Sequence, residues 1–501
     1  MRRLILTPWH QADPRPLLAG RTAIAPNKRA ARFLGVPFES LETLARRRLR
    51  QQPIGVAKPL QTHAIMLEAA TCLSAADPGG AARSVAPVVR TLLRAGADLE
   101  RLAAEGQPRV KRLATCAIGY RDALRAQGLL DPAEALGAAC EASTEREPLL
   151  VYGYPRLGLD ERALIAAVAA DDSVVILPWE DHAQYRDNEE AAAFFAERGW
   201  VVERLEATPT KTPLQGLVPD AVAVSAHVYG HMEDETRGVL AQAKALLTDG
   251  VSPDEIAIVA RNDAFYGPTM LTIAHEFQLP LRALYAVPLT STRFGSWLQH
   301  LLEAVRQGLP FEPTLRFLEH PLSPDFPPEA RSAALRHHPS GAAAWRALDV
   351  DLGLLSWPAS DTRAHWAQAL RRLIHALGLR KKAARWPQEL LAIRALTESL
   401  PLLLDPPEAP MTQAAFAETL LEALHLITVP AQPGRGGVEL HTPLSLYGAR
   451  YQHVFVVGMA ENVLPAPVSN SPVLDFHDRR QLEPLGVMLE DAAGVARREF
   501  L

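Results

Sequence analysis

Cysteine is scarce in this 501-residue chain: only Cys72, Cys116 and Cys140 occur. They lie far apart in sequence and in helix-like settings. That excludes a paired disulfide framework or a four-thiolate cluster, and they read as buried structural thiols. Long apolar runs are missing too. None approaches the roughly 18 to 20 residues that cross a bilayer. In the opening MRRLILTPWH, Pro8 and His10 cut the apolar stretch too early for a signal peptide. No membrane partner is implied, and the cytoplasm is the expected compartment. Positive charge is not in surplus: 52 Lys and Arg against 57 Asp and Glu leave a net charge of −5. A bulk field therefore cannot drive nucleic-acid binding, and any such site must be local.

What is present is ordinary globular composition, on a length that suggests three or four domains. Leu4 to Leu6 and Thr22 to Ala25 read as short strands, and a helix begins at Asn27. From Pro59 to Ala142 the pattern is helical. Leu113, Ala117, Tyr120 and Leu124 share one face there, and Gly128 marks a stop. Leu149 to Tyr152 and Val174 to Leu177 are apolar strand patterns separated by a helix from Asp160 to Ala169. This βαβ unit implies parallel pairing and helices on both faces of a sheet. Thr208 to Pro219 reads as a linker. A second α/β half is expected from Ala221, with a helix over Asp234 to Leu247 and a strand at Ile256 to Val259. The chain is then helical over Trp297 to Leu426, and strands return only at Gly437.

Two stretches concentrate positive charge: Arg46, Arg47, Arg48 and Arg50, and then Arg371, Arg372, Arg380, Lys381, Lys382 and Arg385, flanked by Trp366 and Trp386. The second suits phosphate contacts beside base stacking. It suits a solvated amphipathic face equally well. His227 and His231, followed by Glu233, Asp234 and Glu235, raise the question of a metal site. The intervening Val228, Tyr229 and Gly230 disfavour the helix that would give them a shared face, so no metal ligands are assigned. No GxSxG elbow and no reactive cysteine loop are present.

The stretch Gly437 to Pro465, GVELHTPLSLYGARYQHVFVVGMAENVLP, carries the most information. An apolar run ends at Thr442, a polar turn passes Ser445 and Gly448, and Val454 to Val457 reads as a buried strand closed by Gly458. This layout resembles the fifth motif of the UvrD/RecB/AddB helicases. Leu444, Tyr447 and Arg450 stand where that family has a histidine, a lysine and a nucleotide-contacting glutamate. Thr22 to Arg50 resembles the family's "TFTNKAA" and "TFHGLAHRLLR" segments, with Asn27, Lys28 and Ser40 in register. A strand end followed by a helix N-terminus offers donors to a DNA phosphate.

An ATP-driven relative would need a strand followed by GxxxxGK[ST]. Leu4 to Gly20, LILTPWHQADPRPLLAG, has no glycine-rich loop and no lysine, and its three prolines remove N–H donors. The Asp-Glu pair expected for magnesium is replaced by Tyr152, Gly153 and Tyr154, similar to AddB-type and RecC-type proteins; Asp160 and Glu161 read as helix-capping charges. Met232 to Arg261 resembles the entry to the second motor domain. Arg261 is a nucleotide contact in active relatives, and here reads as either that, a structural ion pair or a DNA contact. Val495 to Leu501 resembles the opening of the sixth motif, so a longer natural protein is expected.

The resemblance implies an α/β chain of two RecA-like parallel-sheet domains, each with a large helical insertion. The first covers 1–55 and 148–220, with insertion 56–147. The second covers 221–296 and 437–501, with insertion 297–436. It implies an inactivated AddB/RecC-like subunit, lacking ATP as a cofactor, that grips single- or double-stranded DNA ends beside an active AddA-like helicase–nuclease partner during double-strand-break repair. DNA contacts are expected at Asn27, Lys28, Ser40, Thr442, Ser445 and Gly448, with Arg371, Arg372, Lys381 and Lys382 as secondary candidates. Two alternatives stay open. One is the DNA-feeding part of a PD-(D/E)XK exonuclease, whose magnesium or Fe–S chemistry would lie beyond residue 501. The other is a scaffold that touches only protein.

Overall fold

The computed structural model describes residues 1–501 except 75, 183–184, 206–223, 356, 435, 469, 491 and 496–501, and of His10 only the backbone. The expected linker at Thr208 to Pro219, the start of the second half at Ala221 and nearly all of the Val495 to Leu501 motif lie outside the described residues. The chain divides into two compact units. One comprises Met1–Lys58, Thr62–Leu281 and Gly436–Leu501, and the other Pro59–Gln61 and Arg282–Arg435.

Strands β1 (Arg3–Thr7), β2 (Thr22–Ile24) and β3 (Phe38–Glu39) open the first unit. Helices α1 (Lys28–Leu34) and α2 (Leu41–Leu49) follow β2 and β3. The short strands β4 (Gly55–Val56) and β5 (Leu129–Leu130) pair in parallel around the helical stretch between them. There, in the helix Pro108–Ala126, Leu113, Ala117, Tyr120 and Leu124 are all buried, and Gly128 takes a left-handed φ of 66° just past the helix end. Leu474, Leu482 and Val487 join this helical core from the far end of the sequence.

Strands β6 (Leu149–Val151), β7 (Val174–Pro178) and β8 (Val201–Arg204) complete a six-stranded sheet of order β3-β2-β6-β7-β1-β8. Every neighbouring pair is parallel, with Arg3 opposite both Val174 and Val201, and Ile24 opposite Val151. Successive side chains point to opposite faces. Leu4, Leu6, Leu149, Val151, Val175 and Leu177 pack with α2 and the helix Leu159–Val168, whereas Ile5, Leu150, Tyr152, Val174 and Ile176 pack with α1. Both faces are covered, as the continuous apolar strands require.

A second sheet has the order β10-β15-β9-β16, built from β9 (Ile256–Ala260) and β10 (Leu281–Ala283), then β15 (Val438–His441) and β16 (His453–Val457). β15 and β16 both run parallel to β9. The expectation of a buried strand at Val454 to Val457 is corrected. β16 is an edge strand whose pleat exposes Val454 (48%) and Val456 (45%), and only Val457 is fully buried. An apolar run reports that a segment is a strand, not whether both faces will be covered.

The second unit is mainly helical around Trp297, Trp345, Trp366, Phe294, Phe317 and Phe416. Strands do not wait until Gly437: β11 (Ala286–Pro288) pairs antiparallel with β14 (Thr428–Pro430), and β12 (Ser360–Thr362) with β13 (Pro410–Thr412). These three-residue pairs are too short to leave a period-2 signal. The expectation that all three cysteines are buried is also corrected. Cys72 is exposed, and the fold brings it beside buried Cys116, whose thiol is pushed up to about 12 by burial and by the Cys72 thiol.

Candidate nucleic-acid interface

Parallel α/β sheets place their functional loops beyond the C-terminal ends of the strands. Asn27 follows β2 and Thr442 follows β15. Asn27 caps α1, its Oδ1 accepting from the amides of Arg29 (2.9 Å) and Ala30 (3.0 Å). Two of the N–H donors offered to a phosphate by the sequence are therefore already used by the cap. Asn27 Nδ2 donates to the Ser445 carbonyl at 3.3 Å. Ser445 sits in the 3₁₀ turn Pro443–Leu446, its Oγ donating to the Thr442 carbonyl at 2.8 Å.

Gly448 closes this joint with a φ of +74°. A Cβ there would lie 2.7 Å from Ala30 Cβ and 2.7 Å from Gly153 Cα, so only glycine allows the approach. Asn27, Thr442, Ser445 and Gly448 are thus brought together, and Lys28 is exposed next to Asn27. Ser40 follows neighbouring β3 at the same end of the sheet, but its Oγ accepts from the Thr43 amide at 3.2 Å as the cap of α2, on the opposite face from α1.

Where a phosphate cradle would follow β1, the chain places aromatic rings. Trp9 stacks on Tyr152 with centroids 5.0 Å apart and planes at 10°, and Phe33 lies 6.1 Å from the same ring. The Arg450 guanidinium sits 4.1 Å from the Phe33 centroid and donates to the Ala12 carbonyl at 2.6 Å. Arg450 thus ties the loop after β15 to the loop after β1. Tyr154 accepts from the Leu41 amide at 3.1 Å, and Glu161 accepts from the Gly158 amide at 2.7 Å as a helix cap.

Below the joint lies a charge cluster that sequence reasoning missed. Glu439 in β15 is 2% exposed, with Arg32 at 3.2 Å and Arg29 at 3.6 Å. The Tyr451 hydroxyl donates to it at 2.7 Å and lies 2.9 Å from His441 Nε2. Burial alone would raise the Glu439 carboxyl. The bonds from His441 and Tyr451 and the charges of Arg29 and Arg32 outweigh burial and hold it well below the carboxylate range. The His441 imidazole is lowered, by burial first and then by the two arginines against the opposing pull of Glu439. A signal was available: in V-E-L-H an acid interrupts a buried strand, and such a charge requires a partner.

Arg261 is exposed in the turn after β9. Glu235 accepts from the Tyr266 hydroxyl at 2.8 Å and the Gly458 amide at 2.9 Å, a structural role. His231 caps the helix Met232–Thr248, its ring accepting from the Asp234 amide at 3.3 Å.

In the second unit, the helix Arg363–Ala376 carries Arg371 and Arg372, both exposed. They line a groove of about 950 Å³ with Trp357, His365 and His375. Lys381 is exposed nearby in sequence, whereas Lys382 donates to the Leu322 and Ser323 carbonyls at 3.3 and 2.5 Å and is structural. The stacking expected of Trp366 is corrected. It is 1% exposed, stacked on Phe416 at 4.8 Å, and its indole donates to the Met411 carbonyl. Trp386 is covered by Arg385 at 4.0 Å and Arg293 at 4.5 Å. Trp357, half-buried in the groove wall, is the aromatic the sequence did not single out. No protein-family model and no curated protein sequence matches this chain.

Proposed function

We propose that this chain is a non-motor, helicase-like DNA-binding subunit of the AddB/RecC type, with two RecA-like domains. It would act with an active helicase partner in double-strand-break end processing and recombinational repair. The observation that carries the reading is the groove in the second unit, where Arg371 and Arg372 stand exposed beside Trp357. Exposed guanidinium groups next to an aromatic wall provide phosphate attraction and base stacking together, with Asp361 of the same groove close enough to feel the charge of Arg372. The aromatic ladder of Trp9, Tyr152 and Phe33 supports the non-motor part, since it fills with rings the place where a motor's amides and lysine would hold phosphates.

The test is fluorescence anisotropy of a single-stranded oligonucleotide across a salt series, with steady-state ATP turnover measured in the presence of the same DNA. Each backbone contact contributes about 0.7 to the slope of log K against log salt for single strands. Arg371→Ala combined with Arg372→Ala should therefore reduce its magnitude by about 1.4. Binding that ignores salt, or an unchanged slope in the double variant, rejects the DNA reading. Robust ATP hydrolysis rejects the non-motor reading.

A further inference from the structure

The loop after β15 and the outer side of α1 enclose a pocket in the first unit that no motif predicted. Arg29, Arg32, Phe33, Ala449, Arg450 and Tyr451 line a cavity of about 190 Å³. A cavity needs only about 10–15 Å³ to hold one water, so this one admits a phosphate group with water around it. Three guanidinium groups meet here against one carboxylate, Glu439, which lies beneath two of them. The nearby Asp13 carboxylate does not offset the excess, because Arg15 holds it with a two-point contact at 2.8 and 2.9 Å. Tyr451 and His441 add no negative charge: burial first, then the Glu439 contact, raises the Tyr451 hydroxyl, and the imidazole is lowered.

Each guanidinium carries five N–H donors. Arg32 gives one hydrogen bond to Glu439, and Arg450 gives one to the Ala12 carbonyl and also interacts with the Tyr152 hydroxyl, while Arg29 Nε is buried without a hydrogen-bond acceptor, 3.6 Å from Glu439. Arg450 is further fixed over the Phe33 ring, and Arg29 is 17% exposed. The donors are thus held in place by contacts that leave most of them unspent, which is the condition for binding a tetrahedral oxyanion at little ordering cost.

We propose that this pocket is an oxyanion site for a phosphate group, carried either by a polynucleotide backbone or by a free phosphomonoester. The site stands independently of the groove on the helix Arg363–Ala376 and of the DNA reading built on it.

The test is isothermal titration calorimetry of the full chain with inorganic phosphate, at constant ionic strength set with chloride. Saturable binding is expected. It should weaken at least about tenfold in Arg32→Ala/Arg450→Ala, because each charge-assisted hydrogen bond contributes about a factor of ten or more. Lys244→Ala, an exposed change on another helix, should leave it unaltered. Circular dichroism checks the fold. If the alanine pair does not fold, Arg32→Lys/Arg450→Lys keeps the charges but removes the forked donors, and should still weaken binding. Absence of saturable heat in the wild type, or equal affinity in the folded variant, overturns the proposal.

Oligothymidylate and thymidine monophosphate then separate the sources. Loss of oligonucleotide affinity in the same variant identifies a backbone phosphate. Loss for the mononucleotide alone identifies a free phosphomonoester.

Discussion

Gly448→Ala probes the joint on which both loops of the first unit depend, and its cost can be worked out from two contributions. At φ +74° an alanine pays left-handed strain of about 1–2 kcal/mol. Its Cβ would also stand 2.7 Å from Ala30 Cβ and 2.7 Å from Gly153 Cα, so α1 or the loop after β6 must move, at about 1–3 kcal/mol for overpacking. Gly35→Ala isolates the first contribution: its φ is +71°, and nothing lies within 4 Å of the added Cβ. Gly448→Ala should therefore be the costlier by about 1–3 kcal/mol, a ratio of roughly 5 to 150 in the local opening constant. Native-state hydrogen exchange at the Tyr152 amide, which donates to the Ile24 carbonyl at 2.9 Å, reports that opening. Equal exchange in the two variants would refute the close approach.

Two further outcomes follow from the second unit. Glu389 is 3% exposed and accepts from the Arg293 and Phe294 amides at 3.1 and 2.7 Å, capping the helix Arg293–Arg306 from another helix. Glu389→Ala should cost roughly 3 kcal/mol or more in urea unfolding and Glu389→Gln distinctly less, since two charge-assisted bonds at about 1.5–3 kcal/mol each are at stake. A loss below about 1 kcal/mol for the alanine would contradict the cap. His320 is pushed down from 6.5 to about 4 by burial, with His300 and Arg293 adding to it, and its Nδ1 accepts from the Leu322 amide, which requires that nitrogen unprotonated. Because the folded value lies below the unfolded one, this stability is complete above pH 6.5 and is lost as pH falls to about 4. The ring's proton resonance should titrate near 4, and His320→Gln should flatten the stability profile in that window; a midpoint near 6.5 would contradict the burial.

Local chemistry made much of the fold legible. Val174 to Leu177 and Ile256 to Val259 are strands because nothing but apolar residues fill them, and parallel pairing follows from the helix between consecutive strands. Asn27 and Gly128 mark a helix start and a helix stop, because a side-chain acceptor and a left-handed glycine act within a few residues. The candidate site was less legible. Lys382 and Arg372 look alike in a basic run, yet one is consumed by the carbonyls of Leu322 and Ser323 and the other stands in a groove. Trp366 reads as a stacking platform until Phe416 covers it.

By itself, the sequence determined the longer apolar strands and the main helices, and that the stretch after β1 carries neither a glycine-rich loop nor a lysine. Only the tertiary structure decided that Arg29 and Arg32 meet Glu439 some four hundred positions away, that Arg450 crosses to Ala12, and that β16 lies at an edge. The physical reason is range. Propensity and capping act over a turn or two of backbone, whereas burial, ion pairing and the shape of a pocket depend on which distant segments the packed core brings together.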